Sequence, residues 1–190
     1  YKKLSRRIIR PLNDVGVKPG SGMLQLEKDG RRFVVLNVMG QAFFKNAYPS
    51  PFDALDRALE ETQPDDIILL DVHAETTSEK ALLGRYADGR VSAVWGSHTH
   101  VPTADERILP GGTAFITDVG LTGAHNESIG ISYASALTRV KDKKKTHLTP
   151  PSAGPAEVNA ILLTFDETSR FPISIERLRK LVEIRLDSSA

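Results

Sequence analysis

The stretch Ile67-Ile68-Leu69-Leu70-Asp71-Val72-His73-Ala74-Glu75-Thr76-Thr77-Ser78 carries the fold reading. Ile67 to Leu70 is an apolar run that opens a strand reaching Val72, and its lack of alternation is what a buried strand shows. It passes without a break into polar residues from His73 onward. That is the position at which open α/β sheets present their ligand-binding side chains. Val91 to Trp95 repeats the arrangement, with Gly96-Ser97-His98-Thr99-His100 following directly. Two strands that deliver histidines at the same kind of position predict an α/β fold with its chemistry at the carboxyl end of a sheet.

Outward from these strands, Thr77 or Ser78 caps a helix reaching about Tyr86, which Asp88-Gly89 ends. Upstream, Met23 to Lys28 and Arg32 to Val38 flank Asp29-Gly30, a pair suited to the positive φ angles of a tight hairpin turn. A loop interrupted by Pro49 and Pro51 follows, then a helix over Phe52 to Thr62 with Phe52, Leu55 and Leu59 on one face. Downstream, Arg107 to Leu109 and Thr113 to Asp118 surround Pro110-Gly111-Gly112 as a second hairpin. Tyr133 to Val140 reads as a helix, Lys141 to Lys145 as a solvated charge run, and Thr149 to Pro155 as a surface connection. Glu157 to Phe165 and Ile173 to Ile184 read as terminal strands, with a helix left open for Ile175 to Ile184. Residues 1–20 contain no segment patterned as the start of a compact fold, so a fragment is expected.

The 190 residues, 40% hydrophobic and 26% charged, suit one ordinary domain with a substantial core. A net charge of +1 supplies no field that would draw duplex nucleic acid or an acidic membrane. Without cysteine there is no disulfide, thiolate metal site or cysteine nucleophile, so His, Asp, Glu and Asn are the available ligands. No apolar run approaches the roughly 20 residues of a membrane helix. The charged start Tyr1-Lys2-Lys3 is not followed by the apolar segment of a signal peptide, and a cytoplasmic location is expected.

In Gly96-Ser97-His98-Thr99-His100, histidines two apart in a turn can aim their rings at neighbouring ions of one site, whereas on a helix they would diverge. His73, with Glu75 close by, supplies a third imidazole. A lone histidine at a strand end is more often a hydrogen-bonded loop residue than a ligand. Three of five histidines at two strand ends shift the balance to a metal site. His125 and His147, in polar stretches, read as ordinary surface residues. Glu75 is expected to orient His73 or a neighbouring histidine from outside the coordination sphere. Asn37, at the end of its strand, and Asp118 are weaker candidates for the site's lining.

The runs from Asp71 to Lys80, Asp88 to Val94, Gly96 to Glu106, Leu109 to Ala114 and Ile116 to Gly120 resemble the bacterial YmdB-type metallophosphoesterases, calcineurin-like phosphodiesterases that act on cyclic nucleotides. The resemblance extends from about Arg10 to Arg177. It implies an α/β two-sheet sandwich flanked by helices (αββα), one metallophosphoesterase domain over residues 1–190, and two divalent metal ions, iron or manganese. It makes His73 and His98 ligands of one ion and His100 a ligand of the other. Asp71-Val72-His73 imitates the Asp-x-His that opens many metallophosphoesterases, but no Gly-Asp and Gly-Asn-His segments follow before Gly96. His73 therefore belongs to the later half of a site. The family's remaining ligands, a Gly-Asp aspartate, a bridging glutamate and the Asn of Gly-Asn-His, have no counterpart here, nor does the histidine expected to protonate the leaving group. These are expected upstream of Tyr1, with the present chain the C-terminal two-thirds.

The implied reaction is hydrolysis of 2′,3′- or 3′,5′-cyclic nucleotides, with ions about 3.5–4 Å apart clamping an in-line displacement. As it stands, the chain is expected to be impaired. The alternative is a non-catalytic metal-binding or regulatory domain that keeps the fold. An amidohydrolase is disfavoured, because its His-x-His opens a barrel with many βα units to follow, and too little chain follows here. The substrate is a small molecule, and a homo-oligomer is compatible with the resemblance but unreadable from residues.

Overall fold

In the computed structural model, which describes residues 8–16 and 19–185, the described residues before Met23 form no helix or strand; Ile9 bridges to Ser21, and buried Asn13 donates to the Met39 and Pro49 carbonyls. Residues 1–7, 17 and 18, part of the segment read as lacking the start of a compact fold, lie outside the described residues. Asp29 and Gly30 both take positive φ, 52° and 73°, and join β1 (Met23–Lys28) to β2 (Arg31–Met39) as an antiparallel hairpin. Strand β2 runs parallel to β3 (Ile67–His73), and β3 parallel to β4 (Ala93–Ser97). Their register sets Asn37 beside Asp71 and His73 beside Ser97. The antiparallel pair β5 (Arg107–Ile108) and β6 (Ala114–Ile116) completes a six-stranded sheet in the order β1-β2-β3-β4-β6-β5.

Parallel neighbours need crossovers. Helix α1 (Pro51–Leu59) connects β2 to β3, and α2 (Thr77–Ala87) connects β3 to β4. Ser50 caps α1 by accepting from the Asp53 amide, and Pro51 occupies the first helical position, where its missing N–H costs nothing. The core is built from Val34, Leu36 and Val38 of β2, Ile68, Leu70 and Val72 of β3, and Val94 and Phe115 beyond them, covered by Leu55 and Leu83 of the helices. Gly84 brings α2 onto Phe115, since a Cβ there would lie 2.4 Å from the ring. A second, antiparallel sheet has the order β7-β8-β9, from β7 (Gly123–Ala124), β8 (Ala153–Phe165) and β9 (Pro172–Arg185). Helix α3 (Tyr133–Val140) lies between β7 and β8 in the chain and buries no residue. Among the described residues no helix is long and apolar enough to cross a membrane.

Several boundaries differ from the sequence expectations. The cap of α2 is Thr76, whose Oγ1 accepts from Glu79 N at 3.3 Å, while Thr77 begins the helix. Helix α1 starts at Pro51 and stops before Thr62, whose hydroxyl folds back on the Leu59 carbonyl. Strand β4 lies two residues later than Val91–Trp95, because the Val91 amide closes the end of α2 on the Ala87 carbonyl. Strand β6 stops at Ile116, since side chains of Asp105 and Thr103 take the next two amides. The connection ending at Pro155 is partly strand, and the segment open to two readings is β9.

Candidate metal centre

His73 ends β3, and its Nδ1 lies 3.1 Å from Ser97 Oγ at the end of β4. Ser97 Oγ donates to Asp71 Oδ1 at 2.8 Å, and Asn37 Nδ2 donates to Asp71 Oδ2, also at 2.8 Å. Asn37 is therefore not at a strand end, as its sequence position suggested. It lies inside β2, opposite Asp71, and reaches the histidine only through that carboxylate. Burial pushes Asp71 above the usual carboxylate range, against the hydrogen bonds from Ser97 and Asn37. Burial, together with the neighbouring His98, pushes His73 below the ordinary imidazole range.

The His98 ring meets His73 almost at right angles, with His98 Nδ1 3.0 Å from His73 Nε2. On its other side, His98 Nε2 lies 2.6 Å from Glu75 Oε2. Thus Glu75 serves His98 rather than His73. Phe44 covers the pair, its centroid 5.2 Å from the His98 ring and 6.2 Å from that of His73.

Proton bookkeeping makes this arrangement informative. With Asp71 ionised, the single Ser97 hydroxyl proton points at the carboxylate, so Ser97 Oγ must accept from His73 Nδ1–H, which leaves Nε2 bare. A carboxylate only accepts, so neutral His98 carries its proton on Nε2 toward Glu75, which leaves Nδ1 bare. Two lone pairs then face each other across 3.0 Å, an unfavourable contact that a cation between the rings relieves. The facing pair would hold one ion with a small adjustment of the rings, since two nitrogens bound to one ion stand roughly 3–3.5 Å apart. Protonating Asp71 would reverse the chain and place a hydrogen between the rings, so the carboxylate form opens the pair to a metal.

His100 is placed differently. Its Nδ1 donates to the Ile129 carbonyl at 3.0 Å, which leaves Nε2 as the available lone pair. Among the described residues no hydrogen bond or ring contact joins it to His73 or His98, and no group of three or more His, Asp or Glu side chains converges as a metal cluster. The donor set thus fits one ion at His73–His98, with a single further imidazole beside it.

The turn itself is forced. His98 and His100 both take positive φ, 101° and 65°, a conformation that costs on the order of 1–3 kcal/mol for a residue with a side chain. Thr99 between them anchors it: its N and Oγ1 donate to Asp118 Oδ2 at 3.1 and 2.7 Å. Asp118 also accepts from Lys80 Nζ at 2.7 Å and from Gly120 N at 2.9 Å. Burial pushes Asp118 up, yet bonds from Lys80, Thr99 and Gly120 outweigh it and hold the carboxyl below its ordinary value. Asp118 therefore does not line the site; it clamps the turn from behind.

Lys80, wholly buried, crosses from α2 past Gly96 to reach it. A Cβ at Gly96 would lie 1.7 Å from Thr117 O and 2.6 Å from Lys80 Cδ. Gly96→Ala is accordingly expected to cost about 3 kcal/mol in urea unfolding, at the upper end for overpacking.

The YmdB-like protein family model matches residues 1–178. The chain belongs to this family. A Bacillus subtilis (strain 168) protein named 2′,3′-cyclic-nucleotide 2′-phosphodiesterase is 37% identical over 172 residues, covering 90% of this chain and 64% of that protein. The YmdB-like chain thus spans less than two thirds of that relative's length. Among solved structures, a hypothetical protein from Thermus thermophilus superposes with a TM-score of 0.87 at 39% identity, covering 95% of this chain and 70% of the other. A novel phosphatase from Mycoplasma pneumoniae gives 0.82 at 31% identity, covering 93% and 64%. The mixed α/β architecture of the YmdB-like chain is that of these two neighbours.

Sequence reading missed four participants of this candidate site: Lys80, Ser97, Thr99 and Phe44. For Lys80 a signal existed, because it shares the buried face of α2 with Leu83, Gly84 and Ala87 at helical spacing. A lysine there needs a buried anion. Ser97 and Thr99 become visible only through the β3–β4 register, and Phe44 through the loop that Glu79 holds by accepting from the Gln41 and Ala42 amides. His125, expected on the surface, is part-buried against Glu157 at 3.0 Å.

Proposed function

We propose that the protein is a metal-dependent phosphodiesterase acting on 2′,3′- or 3′,5′-cyclic nucleotides, within a single domain whose two sheets form the halves of an αββα sandwich. The observation that carries this reading is the pair of imidazole nitrogens of His73 and His98 facing each other at 3.0 Å beyond two strand ends. The cyclic-nucleotide specificity in the name of the Bacillus relative supports the substrate class. In this reading His73 and His98 hold one ion and His100 contributes Nε2 to a second, with iron or manganese suited to a mixed imidazole and carboxylate set.

Bound divalent ions supply Lewis-acid polarisation of the phosphoryl oxygens. The chain's own residues prepare for that. Ser97 and Asp71 keep the proton on His73 Nδ1, Glu75 keeps it on His98 Nε2, and the Ile129 carbonyl keeps it on His100 Nδ1. Each then presents its remaining nitrogen. Phe44 packs against one side of the pair. A leaving-group acid and metal-bridging carboxylates matching the family pattern are not among these 190 residues, so the isolated chain is proposed to turn over weakly.

The test is manganese-dependent hydrolysis of 2′,3′-cyclic AMP and of bis-p-nitrophenyl phosphate. It is run on the 190-residue chain and on that chain joined to the part of the Bacillus relative that it does not cover. Turnover that appears or rises strongly in the longer form is expected. Full activity in the shorter form would remove the argument for impairment. Manganese binding without turnover in either form would favour a metal-binding domain instead.

A further inference from the structure

Beside His100 lies a cavity of about 390 Å³, walled by Leu121, Ile129, Ile131, Pro150 and Pro151 and floored by the start of β8. That volume falls within the range of small-molecule sites, roughly 300–1,000 Å³. Its lining contains no Asp, Glu, Lys or Arg; His100 at one end is its sole titratable side chain. A phosphate has no counter-charge inside, whereas a neutral planar ligand finds proline and aliphatic faces to lie against.

The cavity and the candidate centre share one joint. Ile129 contributes its carbonyl to His100 Nδ1 and its side chain to the wall. It does so at φ 45°, a left-handed conformation that a β-branched residue rarely adopts. The same residue therefore sets the direction of His100 Nε2 and the position of an apolar surface next to it. A cyclic nucleotide has the matching polarity: an anionic phosphate at one end, a neutral heteroaromatic plane at the other, and a ribose between. We propose that this cavity is the nucleobase subsite, receiving the base of a nucleotide whose phosphate lies on the His100 side. The proposal rests on the cyclic-nucleotide reading for its ligand and on the cavity's own lining for its place.

The experiment is a set of 1H–15N chemical-shift titrations of the manganese-free chain with adenosine and of the magnesium-loaded chain with adenosine 3′-monophosphate and inorganic phosphate. Each is repeated for Ile129→Ala, which removes part of the wall, and Ala153→Phe, which fills the space from β8. Adenosine is expected to shift the amides of Leu121 and Ile131. Both variants are expected to weaken adenosine and the nucleotide about tenfold, with inorganic phosphate unchanged. Adenosine that fails to bind the parent chain, or that binds both folded variants as well as the parent, overturns the subsite even if phosphate binds normally. Adenosine binding that the variants abolish, in a chain that does not bind phosphate and that hydrolyses no diester even in the longer form, keeps the subsite and overturns the phosphodiesterase reading. The 1H–15N spectra report whether each variant is folded, and Ile129→Ala leaves the backbone contact to His100 in place.

Discussion

His98→Ala is expected to lower manganese affinity roughly 100-fold or more in calorimetric titration, since it deletes one of the two facing nitrogens and frees Glu75 from its partner. Ser97→Ala tests the same geometry from a distance. It touches no ion, but it removes the acceptor that fixes the proton on His73 Nδ1, and an effect of about tenfold is expected, in the range found for groups that orient metal ligands. His125→Ala, paired with Glu157 in the second sheet, should leave the affinity unchanged. Equal affinity for His98→Ala and the parent would mean that the facing nitrogens are not a metal pair.

Lys80→Met is expected to cost about 3–5 kcal/mol in urea unfolding, because it leaves Asp118 as an uncompensated charge whose side chain is 2% exposed. The pH dependence distinguishes this from a packing defect. Asp118 in the parent titrates below its ordinary value of 3.8, so its stabilising contribution is complete above that pH and is lost as pH falls through the lower, folded value. Without Lys80 the largest hydrogen bond holding Asp118 down is gone, and burial, opposed then only by Thr99 and Gly120, is expected to move it upward. Protonation relieves the variant, so the gap between variant and parent should narrow on acidification. A gap independent of pH would indicate lost packing alone. Because Asp118 also holds Thr99, the variant should bind manganese more weakly even where it is folded.

Much of this was legible in the chain. Apolar runs at Phe33–Val38, Ile67–Val72 and Val91–Trp95 pointed to the strands that became the centre of the large sheet, and Asp29-Gly30 to its hairpin. The histidines were found because each follows an apolar strand directly. What stayed hidden depends on register and on competing side-chain bonds. Asn37 looked terminal because its polarity interrupts an apolar run, yet its amide answers the Asp71 carboxylate on the neighbouring strand. Strand ends at Ile116 and the cap at Thr76 were displaced by hydroxyls and carboxylates that bond nearby amides, which propensity does not foresee. Nor does spacing alone separate His100 from its neighbour two residues before it. Opposite bonds, to Ile129 and to Glu75, do that.

The two facing histidines belong to one strand–helix–strand unit, His73 at the end of β3 and His98 just past β4, brought together by the Leu69–Ala93 to His73–Ser97 ladder. An unfolded chain does not hold this pair at 3.0 Å, so in the proposed reading an ion would bind more tightly once the crossover has closed. Metal loading then acts on the folding equilibrium by mass action, worth about 2.7 kcal/mol at a hundredfold excess over Kd. The amides of Val72 and Gly96 should exchange their hydrogens more slowly with manganese present than without it. The ion would thereby report the integrity of this unit before it took part in any chemistry.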